Sequence, residues 1–122
     1  MRVVTLLFAN DPHLWAFSKK KMCITFFKSI LYMNKYLVEF LGTMFLMFVI
    51  FATGHWVAIG AAVAVIVLIG GPISGAAYNP AVAISLYSAG KLAKSDVLPY
   101  VIVEILGALA AFYAYKKFVN KA

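Results

Sequence analysis

Ile73-Ser-Gly-Ala-Ala-Tyr-Asn-Pro-Ala-Val82 is the stretch on which the reading of this chain turns. Asn79 suits a helix N-cap, because its side-chain oxygen can accept from the unpaired N–H groups of a first turn. Pro80 suits the first helical position, where a missing N–H costs nothing. The stretch therefore predicts a polar loop that stops at a helix start. Its setting is unusual. It directly follows a long apolar run, at a point where a membrane segment should simply leave the bilayer.

Composition sets that bilayer context. The chain has 122 residues, is 65% hydrophobic and has a mean hydropathy of +0.95. Soluble domains use roughly 45–50% apolar residues, and a fold this small could not hide the excess. An integral, multi-pass membrane protein in a lipid bilayer is expected. The net charge of +7 does not point to nucleic acid, since the lysines flank apolar segments in the manner of membrane-edge charge. Cys23 is alone, so no intramolecular disulfide is possible and no thiol-based metal site is suggested.

Outward from the quoted stretch, three segments are apolar enough to cross. The first runs from about Tyr36 to Thr53 and contains one ionisable residue, Glu39. Glu39, Gly42, Thr43 and Leu46 share one helical face, expected to point inward, with Phe45, Phe48 and Phe51 towards lipid. Glu39 either faces protein or water or snorkels at the membrane edge. Gly54-His55-Trp56 is a tight connection, with Trp56 suited to the interface and His55 read as a loop residue. The second span covers about Val57–Gly71. Its pairs Ala58/Ala62 and Gly60/Ala64 permit close helix packing in lipid, and Gly70, Gly71 and Pro72 are expected to end it. The third covers about Val97–Tyr115, is capped by Ser95 or Asp96, and carries Glu104 and the small pair Gly107/Ala111. Between spans two and three, Ala81–Ala89 allows only two to three helical turns, too short to cross.

Residues 1–32 form an uncertain N-terminal segment. Val3–Ala9 is too short to span and lacks a signal-peptide cleavage pattern. Lys19, Lys20 and Lys21 form a basic cluster, and Cys23–Met33 is interrupted by Lys28. The segment reads either as an amphipathic piece lying on the membrane surface or as untranslated, with Met33 as the start.

The expected architecture is all-α: three transmembrane helices plus one re-entrant half-helix. Irregular backbone survives at membrane depth only where protein or a watery cavity satisfies it. The backbone of Ser74, Gly75, Ala76, Ala77 and Tyr78 would present carbonyls in a row to a file of water or polar solute. The half-helix would aim its positive N-terminal end at the midplane, which disfavours cations and protons. The Asn79 amide could donate to a passing oxygen. A neutral polar permeant fits this better than an ion.

Ser-Gly-Ala-Ala-Tyr-Asn-Pro-Ala-Val resembles the first Asn-Pro-Ala loop of the major intrinsic proteins, the aquaporin and aquaglyceroporin family. Glu39-Phe-Leu-Gly-Thr43 resembles the family's first span, and Pro99-Tyr-Val-Ile-Val-Glu-Ile-Leu-Gly107 its third, so that about residues 35–118 are covered. The resemblance implies that residues 33–122 are half of an aquaporin-like fold. It implies a pore-centre motif of Asn79, Pro80 and Ala81, with the loop braced by Glu39 and by Glu104. Glu104 stands where the family usually has Gln, and two neighbouring carboxylates there would leave one protonated. Ile59 falls at a filter position that is usually aromatic. The family has two inverted halves in one chain. Here there is one, with Val82 after the motif and no second Asn-Pro followed by an arginine.

The function expected is a membrane channel for water or small neutral solutes such as glycerol. It would be formed by a homo-oligomer of half-units, with an antiparallel dimer as the arrangement that restores the inverted repeat. The alternative is a non-conducting remnant or an assembly partner. Charge bears on orientation. Lys35, Lys91 and Lys94 lie on one side and Lys116, Lys117 and Lys121 on the other, three against three. Arg2, Lys19, Lys20, Lys21 and Lys28 would make it eight against three. No catalytic constellation, metal-ligand spacing or cofactor motif is present, so no enzyme, metal or cofactor is expected.

Overall fold

The computed structural model describes residues 12–120. The run Val3–Ala9 lies outside the described residues, as do the side chains of Lys19, Lys20 and Lys28. The chain divides into two units at Tyr32/Met33, and the candidate site lies in the second.

Four helices occur among the described residues: α1 (Pro12–Thr53), α2 (Trp56–Ser74), α3 (Pro80–Ser88) and α4 (Lys94–Phe118). Three segments are long and apolar enough to cross a membrane: Asn34–Thr53 within α1, Trp56–Ser74 and Lys94–Phe118. Helix α3 has nine residues. At 1.5 Å per residue that is about 13 Å, under half of a hydrocarbon core of about 30 Å.

Helix boundaries follow from local chemistry, with two departures from expectation. The first concerns α2, which runs through Gly70, Gly71 and Pro72 to Ser74 instead of ending there. Pro72 removes one N–H from the ladder without stopping the helix, because the next turn is closed on both sides. Ser74 Oγ donates to the Gly70 carbonyl at 3.3 Å, and the Gly75 N–H reaches the Gly71 carbonyl at 2.9 Å. Gly75, at φ 87°, ends the helix in the left-handed conformation, a common terminator for which glycine has no Cβ penalty.

The second departure is at α4. It starts at Lys94 behind Ala93, without a side-chain cap. Neither Ser95 nor Asp96 caps it, because the Asp96 carboxylate is engaged elsewhere. Lys35 Nζ donates to one Asp96 oxygen at 2.7 Å and the Tyr36 hydroxyl to the other at 2.8 Å. Asp96 is buried, and this pairing ties the start of α4 to the start of the first span.

Each spanning helix buries a narrow stripe. In α1 it is Glu39, Gly42 and Thr43, with Leu46 half-buried; in α2 it is Ala62, Ile66, Gly70 and Ser74. In α4 it is Asp96, Tyr100, Glu104, Gly107 and Ala111. These residues recur every three or four positions, as one helical face requires. The opposite faces carry Leu41, Phe45, Leu68, Ile69, Leu98 and Ile102, all exposed and suited to lipid. Phe51 departs from the lipid-facing expectation. Its ring lies 6.0 Å from Phe112 and 5.8 Å from Tyr115, between α1 and α4.

The helices approach closely where glycine allows it. A Cβ on Gly107 would stand 2.5 Å from the Phe40 carbonyl oxygen and 3.2 Å from the Met44 nitrogen, so α4 lies against the backbone of α1. Such contacts replace the hydrophobic drive that is missing between helices in lipid. A smaller cluster of Ala77, Ala83 and Tyr100, flanked by Tyr36, Leu86 and Leu92, seats the loop and α3 against α4.

Gly107→Val should cost about 1–3 kcal/mol by overpacking, read as a lowered thermal midpoint in detergent micelles by circular dichroism. Gly60→Ala is the control, because nothing lies within 4 Å of a Cβ at Gly60. Equal midpoints for the two variants would contradict the close contact of α1 and α4.

Candidate functional site

The site is the loop from Gly75 to Asn79 together with the first turn of α3. A stretch without helical hydrogen bonds needs partners for its N–H groups at membrane depth, and α1 supplies them. Glu39 is fully buried. One carboxylate oxygen accepts from the Ala77 N–H at 3.0 Å and the other from the Tyr78 N–H at 2.6 Å. Bonds to an ionised acceptor are roughly twice as strong as neutral ones. Of the two readings open to Glu39, facing protein or water and snorkelling at the membrane edge, the side chain takes the first: it points into the protein.

The loop backbone is strained. Ala76 and Tyr78 adopt φ values of 56° and 50°, a region non-glycine residues seldom visit. Several contacts hold it there. The Ala76 N–H donates to Ser74 Oγ at 3.1 Å, and the Tyr100 hydroxyl donates to the Ser74 carbonyl at 2.6 Å. The Tyr78 hydroxyl reaches across to the Ile66 carbonyl at 2.8 Å. Its ring fills a slot whose sides are Gly42 on α1 and Gly70 on α2, and a Cβ at either glycine would overlap it.

After this turn the chain straightens at Asn79, with φ −158°. The Asn79 side-chain oxygen accepts from the Ala81 N–H at 2.9 Å, and Pro80 opens the helix. The cap uses the carbonyl half of the amide and leaves the NH2 half as a donor. Asn79 and Ala81 are exposed and Pro80 is half-buried. Asn79 and Pro80 line a cleft of about 210 Å³ whose walls also include Thr43, Tyr78, Glu104 and Leu109. Glu104 lies near the middle of α4, so the start of the half-helix faces the middle of a span.

Glu104 is fully buried on the same cleft as Asn79, and neither of its oxygens has a hydrogen-bond partner. Of the five loop residues read as presenting carbonyls, Ser74 belongs to α2 and its carbonyl is taken by Tyr100. Ala77 and Tyr78 are buried, Ala76 is half-buried and Gly75 is exposed. Ile59 is half-buried on the inward stripe of α2. It lies seven residues before Ile66, about 10 Å along the axis at 1.5 Å per residue, so it does not join the motif. No group of three His, Cys, Asp or Glu that could hold a metal occurs among the described residues.

Sequence reasoning counted Tyr78 for its backbone only and passed over Tyr100. The available signal was Gly42 and Gly70, small residues on two inward faces, with one large aromatic in the loop between those faces.

Three apolar spans around a re-entrant half-helix define an integral multi-pass membrane protein. The chain belongs to the major intrinsic protein family, whose model matches residues 54–122, more than half of its length. It is 38% identical over 97 residues to glycerol uptake facilitator protein-like 6 of Lactiplantibacillus plantarum, covering 72% of this chain and 45% of that protein. It is 44% identical over 66 residues to aquaporin AqpM of Methanothermobacter thermautotrophicus, covering 51% and 27%. With aquaporin Z of Brucella melitensis it shares 36% identity over 94 residues, covering 65% and 41%. The chain thus spans less than half the length of these relatives. No solved structure matches it.

Glu39→Ala would strand the Ala77 and Tyr78 N–H groups, at about 1–3 kcal/mol for each unpaired group. Amide hydrogen exchange at those two positions should accelerate accordingly, while Glu39→Gln, which keeps one carbonyl oxygen, should show a smaller change. Unaltered exchange in Glu39→Ala would mean that the carboxylate does not hold the loop. Tyr78→Phe removes one hydrogen bond and keeps the ring in its slot, so a loss of about 0.5–1.5 kcal/mol is expected in thermal unfolding.

Proposed function

We propose that the chain is one half of a transmembrane channel for water and small neutral solutes such as glycerol, completed by a second half of opposite orientation. The observation that carries this reading is the first turn of α3. Asn79 is exposed on a cleft that Glu104, near the middle of a span, also lines, and Ala81 in the same turn is exposed as well, so the surface suited to a permeant lies open on one side. A half-helix N-terminus carries about half a positive charge. That field opposes cations and leaves neutral molecules unaffected, and the free NH2 of Asn79 offers a donor to a passing oxygen. The names of the relatives, aquaporin and glycerol uptake facilitator, agree with such a permeant. Nothing in the site suits it to catalysis.

In this reading Asn79, Pro80 and Ala81 form the pore centre, the carbonyls beginning at Gly75 line its approach, and Glu39 holds the loop. Glu104 stands behind it, and Ile59 lines the pore about 10 Å from the Ile66 level at 1.5 Å per residue. The simplest second half is another copy of this chain, inserted the other way round. The lysine balance of three against three within residues 33–122 permits either orientation, so the role of residues 1–32 decides whether dual insertion occurs.

Osmotic shrinkage of vesicles containing the protein tests the reading. Water and glycerol permeability should exceed that of empty vesicles. Ala81→Phe should return it to the empty-vesicle rate, and Asn79→Asp should lower it. Crosslinking in detergent should yield dimers or larger even-numbered species. Vesicles that shrink no faster than empty ones would favour the non-conducting alternative.

A further inference from the structure

At one end α1 and α2 are joined through Gly54 and His55 alone. Towards the other end the Tyr78 ring sits between them, against Gly42 and Gly70, and outside the ring the helices leave an open groove of about 240 Å³. Leu41 and Phe45 stand on its α1 side and Ile69 and Ile73 on its α2 side, all four exposed. The groove runs from Val38 to Phe45 on α1 and from Ile66 to Ile73 on α2, about 10 Å along each axis at 1.5 Å per residue. In the spans Asn34–Thr53 and Trp56–Ser74, both stretches lead from near the end opposite Gly54 to about the middle. The groove therefore belongs to one leaflet.

In a bilayer its occupant is either a second protein helix or a lipid chain. Helices associate in lipid where small residues let their backbones meet or polar side chains bond across. This groove offers neither. Gly42 and Gly70 are covered by the ring, since a Cβ at either would overlap it. The Tyr78 hydroxyl is committed to the Ile66 carbonyl at 2.8 Å, and the remaining walls are bulky and apolar. Length separates the two occupants as well. A spanning helix follows a hydrocarbon core of about 30 Å, whereas one leaflet supplies chains for about 15 Å of it, and a groove of about 10 Å fits the second.

We propose that this groove seats one lipid acyl chain of the adjoining leaflet, laid along the outer side of the Tyr78 ring, and that the chain steadies the re-entrant loop. Atoms that line a void lose the dispersion contacts they would otherwise make. The helices support the ring from the inside, and the chain supplies the contacts on its open side. Tyr78 also carries one of the two N–H groups that Glu39 binds, so whatever fixes the ring fixes that anchor too. The proposal stands on the groove and does not require that the protein conduct.

Photolabelling of the full chain in vesicles tests it. The probe is a phosphatidylcholine with a diazirine in one acyl chain, and adducts are mapped by peptide mass spectrometry. Leu41, Phe45, Ile69 and Ile73 should carry several-fold more label per residue than Leu98, Ile102 and Leu106 of α4, which are also exposed. Ile69→Trp, which fills the groove, should lose that excess, and Leu98→Trp should keep it. Equal labelling of the two sets in the unaltered protein overturns the proposal, whether or not the variants fold, because the groove is then ordinary lipid boundary. So does a groove that takes no label, the result if a second copy covers it. In delipidated protein, long-chain phosphatidylcholine should slow amide hydrogen exchange at Tyr78 several-fold, and a short-chain lipid should not. Equal exchange with both lipids overturns the chain's part in holding the loop. Failure of the permeability assay with the label intact would remove the channel reading and leave the lipid seat standing.

Discussion

The Glu39 carboxylate receives the N–H groups of Ala77 and Tyr78, and the rest of the membrane domain is arranged so that it can. In hydrocarbon, the chain must hydrogen-bond its own backbone or be sheltered by something that does so. Five residues between α2 and α3 lie outside any helix. A carboxylate is well matched to them, because its two oxygens take two successive donors at once. Its burial is costly in isolation, but here both oxygens are used. Gly107 on α4 lets that helix lie against the backbone of α1, and Gly42 on α1 leaves room for the Tyr78 ring.

The tyrosines extend the same logic. Tyr100 bonds the last carbonyl of α2, and Tyr78 reaches back to Ile66. The Tyr36 ring meets Tyr100 edge-on at 5.8 Å while its hydroxyl binds Asp96. Each places a long apolar body between helices and brings one polar atom to an oxygen: Tyr100 meets the last carbonyl of α2, Tyr36 the Asp96 carboxylate, and Tyr78 adds a second donor to a carbonyl inside α2. The two residues with positive φ, Ala76 and Tyr78, persist because anchors from three helices converge on the few residues around them. The open first turn of α3 is thereby presented on rigid supports.

Much of this was legible in the chain. The start of α3 is a local matter of Asn79 and Pro80, and it appears where those residues put it. The three spans follow from apolar length, and the inward face of α1 from the spacing of Glu39, Gly42 and Thr43. What escaped the sequence depends on competition across space. Asp96 looks like a cap until Lys35 and Tyr36 arrive from sixty residues away and take its oxygens. Gly70-Gly-Pro72 looks like a stop, but the helix is closed one turn later by Ser74 and Gly75. Phe51 looks like lipid-facing bulk, yet it finds Phe112 and Tyr115 on another helix. Ser74 seems to offer a free carbonyl, and Tyr100 has already claimed it.

The slot that holds the Tyr78 ring joins three positions far apart in the chain. Residues 42, 70 and 78 divide one fixed volume between two helix backbones and a loop. Enlarging either glycine leaves no room for a ring, and shrinking the ring leaves a void between helices whose spacing is set elsewhere. Among relatives that keep this loop, side-chain size at 78 should therefore vary inversely with size at 42 and 70. An inherited change at one position would persist only alongside a compensating change at another.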